Sequence, residues 1–161
     1  MSSNIQTDEL ELVLNTPDQL HAQIAAMSAA DRAQVSPAWL ARAMAATVPD
    51  PWVHGFTVVH RASGAAIGSC GFKGPPTNGR VEIAYGIDEA HRRRGYATQA
   101  ARALTSFAFG YSDVEIVQAH TLPEESASTR LLRRLGFVYV GEVIDPEDGL
   151  VWRWEQAATK G

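Results

Sequence analysis

The pattern of apolar and polar positions predicts strands and helices along nearly the whole chain. Short stretches rich in β-branched, aromatic or small residues, bounded by Gly, Pro, Asn, Asp and Ser, are typical of strands. They predict strands at 9–14, 52–61, 65–72, 80–87, 114–121, 137–144 and 150–155. The segment D-P-E-D-G separates the last two stretches, which indicates a hairpin with a tight turn.

Apolar residues recur at helical spacing in four other segments. Thr16-Pro17 and Ser36-Pro37 each supply a capping hydroxyl followed by proline, which is a typical helix start. These signals predict one helix to about Ala30 and a second ending before Pro49. The clearest helix is predicted over 95–110, and a shorter one over 126–135, closed by glycine.

The order of elements is β-α-α-β-β-β-α-β-α-β-β, which predicts a mixed sheet with helices on its faces, in the α/β (α+β) class. The chain has 161 residues, so we expect a single domain over 1–161. Residues 1–8 are polar, and we expect them to be flexible.

Composition excludes several classes of function. Lys plus Arg number 14 and Asp plus Glu 18, a net charge of −4, which argues against a nucleic-acid partner. The one cysteine, Cys70, rules out an intrachain disulfide and a multi-cysteine zinc site, and the five histidines lack tight metal spacing, so we expect no metal. No apolar run is long enough for a membrane span or a signal peptide, so we expect a cytoplasmic protein.

One basic run interrupts this acidic background, between the predicted strand 80–87 and the clearest helix. Its sequence is H-R-R-R-G-Y-A, from His91 to Ala97. The first turn of a helix offers unpaired N–H groups and a positive dipole, and the small Gly95 lets an anion approach the backbone. The simpler interpretation is a solvated basic turn. The Walker and dinucleotide-binding glycine patterns are absent here.

The run R-R-R-G-Y-A resembles the acyl-CoA pyrophosphate signature, R/Q-x-x-G-x-G/A, of the GNAT superfamily of N-acetyltransferases. The preceding V-E-I-A-Y-G-I, at 81–87, looks like the central strand of that family. P-E-E-S-A-S at 123–128, followed by L-G-F at 135–137, is similar to the block P-E-N-x-A-S…L-G-F of RimJ/RimL-type acetyltransferases. The resemblance is strong over about 64–144 and weak before residue 50.

The resemblance implies the GNAT fold, a mostly antiparallel mixed sheet, with acetyl-CoA as co-substrate. The pantetheine arm would lie along the strand at Ala84, Tyr85, Gly86 and Ile87. The pyrophosphate would bind the turn formed by Arg92, Arg93, Arg94, Gly95, Tyr96 and Ala97. A backbone N–H near Gly86 or Ile87 would stabilise the tetrahedral intermediate.

Acetyl transfer to an amine needs a group that accepts a proton. Glu82 shares a strand face with the small Ala84 and Gly86, so it would stand beside a groove, and it is the first candidate for the base. His120 is a second candidate, since its unperturbed pKa of about 6.5 suits a base near neutrality. Each residue also has a simpler interpretation, as a polar residue of the surface.

Two positions depart from the family pattern. Many members have a tyrosine that protonates the thiolate where this chain has Leu132, and the family asparagine aligns with Glu125. Ser128 matches the family serine and is expected near the sulfur, with helix capping as its simpler role. Trp39 and Trp52 are candidates for the acceptor pocket, although large aromatic residues are more often core.

The predicted activity is acetyl-CoA-dependent N-acetylation of a primary amine by direct attack in a ternary complex (acyltransferase class EC 2.3.1). The acceptor is left open among a small molecule, an amino acid and a protein N-terminus. The alternative is a non-catalytic acyl-CoA-binding module or sensor on the same fold. We expect no nucleic-acid or membrane partner. The sequence leaves open whether the chain forms a homodimer through the last hairpin.

Overall fold

An eight-stranded sheet runs through the computed structural model, which describes residues 4–158 apart from the side chain at position 34. In space the strands follow the order β1-β2-β3-β4-β5-β6-β8-β7. All neighbours are antiparallel except β5 and β6, which confirms the mixed, mostly antiparallel sheet. The strands are β1 Ile5–Gln6, β2 Leu10–Leu14, β3 Phe56–His60, β4 Ala66–Phe72, β5 Arg80–Ile87, β6 Ile116–Thr121, β7 Val138–Asp145 and β8 Gly149–Ala157.

Five α-helices and one 3₁₀ turn, Glu89–His91, connect the strands of the described part of the chain. The helices are α1 Pro17–Ala26, α2 Ala29–Gln34, α3 Pro37–Ala45, α4 Tyr96–Phe109 and α5 Ala127–Arg134. Four of them begin at a hydroxyl side chain that accepts a hydrogen bond from a first-turn N–H: Thr16, Ser28, Ser36 and Ser126. Only α4 begins at glycine, Gly95, with no side-chain cap.

The first predicted helix is too long. It ends at Ala26, and Ser28 begins a separate helix, α2, by accepting a hydrogen bond from the N–H of Asp31 at 3.0 Å. A serine inside a helical pattern competes for backbone groups, and here that competition breaks the helix.

Two further predictions before residue 61 differ from the structure. The strand expected from Trp52 begins at Phe56, because Asp50 holds 50–54 in a turn by accepting from the N–H of Trp52 at 2.9 Å. Part of the N-terminal segment expected to be flexible is a strand, since Ile5 and Gln6 pair with β2. Residues 1–3 lie outside the described residues.

The core lies on the face of the sheet that α4 and α5 cover. Leu104 of α4, Leu132 of α5 and Trp154 of β8 are completely buried in it. A smaller apolar cluster joins α1 and α3 to the chain just before β3: Leu20, Ile24, Ala43 and Val53. No helix within residues 4–158 combines the length and the apolar character needed to cross a membrane.

The register of β5 produces an opening in the sheet. β5 pairs with β4 as far as Ile87, opposite Gly68, but it pairs with β6 only at Arg80, Val81 and Glu82. Beyond Glu82 the two parallel strands separate.

The direction of the peptide groups shows what that opening exposes. The carbonyl of Glu82 accepts from the N–H of Lys73 at 2.9 Å, so the peptide groups of even-numbered β5 residues face β4. Peptide groups alternate in direction along a strand, so those of Tyr85 and Ile87 face the opening. Past Glu82, this edge of β5 has no strand partner among the described residues.

A close backbone contact holds β4 against this part of β5. A Cβ added at Gly68 would lie 2.2 Å from the carbonyl oxygen of Gly86, whereas a Cβ added at Gly86 would meet nothing within 4 Å. Neither glycine has a positive φ, so the two positions differ in contacts rather than in backbone conformation.

We predict that Gly68→Ala destabilises the fold by about 1–3 kcal/mol, because the added methyl group must push the two strands apart. Gly86→Ala is the matched control on the neighbouring strand and should leave the free energy of unfolding nearly unchanged. Urea denaturation of the three proteins measures both effects. Equal stability of the two variants would contradict the close contact.

Candidate functional site

A cleft of about 760 Å³ opens where β5 separates from β6. The C-terminal end of β5, the start of α4 and one side of α5 form its walls. Its lining residues are Tyr85, Gly86, Ile87, His91, Arg92, Arg93, Gly95, Tyr96, Ala97, Thr98, Ala127, Ser128, Leu131 and Arg134. We refer to this space as the strand–helix cleft.

The turn into α4 presents free backbone donors to this cleft. Gly95 has a φ of +81°, a left-handed conformation that glycine adopts without strain, and a Cβ there would meet nothing within 4 Å. The first N–H groups of α4 have no side-chain cap, so they can bind an anion with the help of the helix dipole. Arg92 anchors the turn, because its Nε donates to the carbonyl of Ile87 at 2.9 Å.

A second cavity, of about 460 Å³, lies between the first helices and the face of β4 and β5 opposite α4. We call it the neutral pocket, since none of its described lining residues is Asp, Glu, Lys or Arg. Burial raises the pKa of both Cys70 and Tyr85 to about 12, so these two lining groups are uncharged at neutral pH. Tyr85 and Gly86 line both cavities, which places the cavities side by side.

A cluster of charged and titratable groups follows on the same open face of the sheet. His120 Nδ1 lies 3.1 Å from Glu82 Oε2, and Lys73 Nζ lies 3.2 Å from the same oxygen. Arg153 Nε donates to His120 Nε2 at 3.0 Å, and Asp145 Oδ1 is 3.8 Å from His120 Nδ1. We refer to these five residues as the charged cluster.

The contacts of His120 decide its tautomer. A guanidinium can only donate, so His120 Nε2 is an acceptor and the ring proton lies on Nδ1, where it is donated to Glu82. The His120 and Glu82 side chains are only 5% and 13% exposed, so this hydrogen bond is shielded from water.

The charged cluster keeps Glu82 ionised. Burial raises the pKa of Glu82, but the hydrogen bond from His120 and the charge of Lys73 outweigh it, so the pKa lies below its ordinary value. For Lys73, burial lowers the pKa, but the charge of Glu82 and the hydrogen bond to Asp148 outweigh burial and raise it overall.

The same cluster contains three side chains of types that can bind a metal ion. Glu82, His120 and Asp145 bring potential ligand atoms within 4.8 Å of one another. Lys73 and Arg153 already place positive charge beside these atoms, which disfavours a cation there.

Comparison with known proteins identifies the family. The model of the acetyltransferase (GNAT) domain matches residues 6–138, most of the chain. The chain belongs to the GNAT acetyltransferase domain family. This confirms the family that the motifs resemble.

Among curated relatives, the chain is similar to the uncharacterized N-acetyltransferase YjdG from Bacillus subtilis (strain 168). The two are 31% identical over 90 residues, which cover 55% of this chain and 51% of YjdG. The chain thus spans about half the length of the curated relatives it matches.

Solved GNAT structures share the fold over nearly the full length. The ribosomal-protein-S5-alanine acetyltransferase from Vibrio fischeri superposes with a TM-score of 0.67 at 15% identity, covering 98% of this chain and 97% of that one. The RimL ribosomal L7/L12 alpha-N-protein acetyltransferase, solved in complex with coenzyme A, has a TM-score of 0.66 at 17% identity, with 96% and 98% covered. At this identity the likeness shows the GNAT fold alone, and it agrees with the RimJ/RimL-type resemblance.

Most residues predicted for cofactor binding line the strand–helix cleft of this GNAT domain. They are Tyr85, Gly86, Ile87, Arg92, Arg93, Gly95, Tyr96, Ala97 and Ser128. Ala84 lines the neutral pocket instead, and Arg94 lines neither cavity. The predicted bases Glu82 and His120 meet in the charged cluster, a pairing that strand order alone did not predict.

The two positions that depart from the family pattern lie outside the cleft. The Glu125 carboxylate accepts from Arg133 at 2.6 and 2.7 Å and from Thr129 at 2.9 Å, and these hydrogen bonds lower its pKa to about 2. Leu132, which replaces the family tyrosine, is completely buried in the core.

Of the two tryptophans predicted for the acceptor pocket, only Trp39 lines the neutral pocket. Its indole donates to the carbonyl of Val53 at 3.2 Å. Trp52 packs in the core instead, with ring centroids 4.7 Å from Phe72 and 5.8 Å from Phe107.

Of the α5 wall of the cleft, the sequence predicted only Ser128 and missed the other lining residues. Ala127, Leu131 and Arg134 lie on it at spacings of four and three residues. That helical spacing was the signal in the sequence from which these residues could have been found. Arg134 adds a positive charge to the cleft. His91 and Thr98 were also missed; they flank the predicted turn.

The ionised state of Glu82 leads to a pH-dependent prediction. A carboxylate whose pKa is lower when folded adds stability above its ordinary pKa, near 4.5, and loses it as the pH falls through the folded-state value. The stability difference between the natural protein and Glu82→Gln should therefore shrink from about pH 6 to about pH 3.5. Urea denaturation across this range measures it, and a difference that does not change with pH would contradict the cluster's effect on Glu82.

Proposed function

We propose that this chain transfers an acetyl group from acetyl-CoA to a primary amine by direct attack in a ternary complex. The observation that carries the proposal is the continuity of the strand–helix cleft, the neutral pocket and the charged cluster. Tyr85 and Gly86 line both cavities, and Glu82 lies on the same strand face as Ala84 and Gly86. The acetyl donor, the amine that accepts the acetyl group and the base that accepts the proton would therefore each have a place along one strand.

The free edge of β5 and the start of α4 suit the two ends of acetyl-CoA. The pantetheine arm carries amide groups that can pair with the peptide group of Tyr85 and with the N–H of Ile87, as an added strand would, whereas the Ile87 carbonyl already accepts from Arg92. The pyrophosphate is a compact anion that fits the uncapped N–H groups at Gly95 and beyond. Arg93 and Arg134 line the same cleft and can add charge-assisted hydrogen bonds.

The acyl oxygen becomes negatively charged as the amine attacks, and it needs a preorganised donor. The N–H of Gly86 faces β4, where Gly86 pairs with Ser69, so it is not directed to the cleft. The N–H groups of Tyr85 and Ile87 face the opening. Of the two donors expected from the sequence, Ile87 is therefore the better placed.

Glu82 would accept the proton that the amine loses. Its contacts with Lys73 and His120 both use Oε2, so Oε1 can still accept a proton or a hydrogen bond. At a rise of about 3.3 Å per strand residue, Glu82 stands about 13 Å along β5 from Gly86, so a chain of several water molecules would relay the proton. His120 then serves as a positioning residue, which holds the carboxylate by donating from Nδ1.

The departing thiolate would meet hydroxyl groups rather than the tyrosine found in many relatives. Ser128 lines the cleft beside Tyr85, and its hydroxyl counteracts part of the effect of burial on the pKa of Tyr85. Burial raises the pKa of Tyr85 to about 12, so its hydroxyl keeps its proton at neutral pH. Ser128 is the donor nearest to the sulfur in this proposal, with Tyr85 behind it.

We predict that Glu82→Gln lowers kcat by about 10²-fold or more, since general base catalysis contributes that much, while the Kd for acetyl-CoA changes by less than about twofold. A thiol-release assay with acetyl-CoA and a panel of primary amines measures turnover, and calorimetry measures acetyl-CoA binding.

Glu155→Gln is the matched control. Glu155 lies on the same sheet face and pairs with Arg80 at 2.6 Å, outside the charged cluster, so this variant should keep its turnover. Unchanged turnover in Glu82→Gln would rule out Glu82 as the base. Binding of acetyl-CoA without acetylation of any amine would instead favour a non-catalytic acyl-CoA-binding module.

A further inference from the structure

Arg153 makes an unusual contact for an arginine in the charged cluster. It lies on β8 directly opposite His120 of β6, and its Nε donates to His120 Nε2 at 3.0 Å. Arginines near carboxylates commonly pair with them. Within residues 4–158, however, no carboxylate lies within ion-pair distance of the Arg153 guanidinium, although those of Glu82 and Asp145 lie near the other nitrogen of the same imidazole.

This contact limits the protonation of the His120 ring. The guanidinium of Arg153 stays protonated and has donors only, so His120 Nε2 must accept. A proton on Nε2 would direct one N–H against another and would place two positive charges next to each other. While the contact lasts, the ring therefore holds a single proton, on Nδ1, and is neutral.

The other neighbours of the ring favour its charged form. Glu82 Oε2 lies 3.1 Å from Nδ1 and Asp145 Oδ1 lies 3.8 Å from it. A histidine that faces carboxylates normally takes up a second proton near neutral pH. Lys73 offsets part of this negative charge by contacting Glu82, while Lys73 itself pairs with Asp148. Among the described residues, only Arg153 makes a hydrogen bond with Nε2, so Arg153 opposes the uptake of that proton.

We propose that Arg153 is a positioning residue for acetyl transfer, which keeps His120 neutral and so preserves Glu82 as a proton acceptor. This inference rests on the proposed function, because it concerns the base of that reaction. A neutral His120 donates one hydrogen bond to Glu82 Oε2 and leaves the negative charge of the carboxylate available at Oε1. A charged His120 would form a full ion pair with Glu82 and make the carboxylate a weaker base.

Nitrogen-15 NMR of the imidazole tests this inference without any turnover. The natural protein is labelled with nitrogen-15 histidine, and the His120 signals are identified by their loss in His120→Asn. Nδ1 should be protonated and Nε2 unprotonated from about pH 8.5 down to about pH 6. In Arg153→Met both nitrogens should carry a proton at about pH 6 and only one at about pH 8.5. A proton on Nε2 of the natural protein in this range would overturn the proposal, and this result needs no variant to fold.

The kinetic consequence is a change in the pH profile of turnover. The kcat of Arg153→Met, relative to the natural protein, should be close to one at about pH 8.5 and should fall about tenfold towards about pH 6, where the ring becomes charged. The KM for acetyl-CoA should not change, because Arg153 lines neither cavity. Arg153→Lys keeps a charged donor opposite His120 and should restore most of the lost turnover.

Arg80→Met is the matched control. Arg80 lies on the same strand as Glu82 and pairs with Glu155 at 2.6 Å, outside the charged cluster, so this variant should keep the NMR pattern and the pH profile of the natural protein. An equal loss of kcat at both pH values in Arg153→Met, with the fold intact by thermal melting, would indicate a purely structural role and overturn the proposal.

The two measurements separate this inference from the proposed function. If no amine is acetylated but the NMR pattern appears, acetyl transfer fails, whereas the control of His120 by Arg153 stands. If amines are acetylated while His120 of the natural protein carries two protons, acetyl transfer stands and the role of Arg153 falls.

Discussion

The end of pairing between β5 and β6 at Glu82 is the constraint on which the rest of the site depends. Up to that residue the two strands share parallel hydrogen bonds, and beyond it the outer edge of β5 has no strand partner within residues 4–158, although Arg92 binds the carbonyl of Ile87. A free strand edge inside a sheet is costly unless another group completes it. The separation therefore opens a cleft, and its strand edge suits a ligand that carries amide groups, as the proposed pantetheine arm does.

The same strand organises three environments of different polarity. At its end, the uncapped start of α4 is positive and suits a phosphate. In its middle, Ala84 and Gly86 face a pocket without charged side chains, and at Glu82 a buried network of charges holds a carboxylate ionised. In the proposed reaction, this order would bring anion binding, acyl transfer and proton acceptance onto one continuous path.

Local sequence patterns predicted those elements of the fold that depend on interactions between residues close together in the sequence. The strand at 80–87 and the helix from Gly95 were recognisable because pleat alternation, helical spacing and turn glycines all occur within a few residues. The break at Ser28 was missed, since a capping serine inside a helical pattern looks like an ordinary polar position. The strand at Ile5 was missed because two residues are too few for a sequence pattern, and the strand depends on pairing with β2 and on packing against the core.

In the candidate site, too, features within one short segment were predictable, whereas contacts between distant segments were not. The turn from Arg92 to Ala97 was predictable, because its residues are contiguous. The contact between Glu82 and His120 depends on which strands become neighbours, and the role of Trp52 depends on which side of the sheet it packs on.

Hydrogen–deuterium exchange of the backbone amides, with and without coenzyme A, tests the central claim most directly. If β5 is completed by the pantetheine arm and the start of α4 binds the pyrophosphate, the amides of Tyr85, Ile87 and the first turn of α4 become protected. The amides of β7, which lies at the far edge of the sheet, should not change. Binding of coenzyme A without protection at Tyr85, Ile87 and the first turn of α4 would contradict this account.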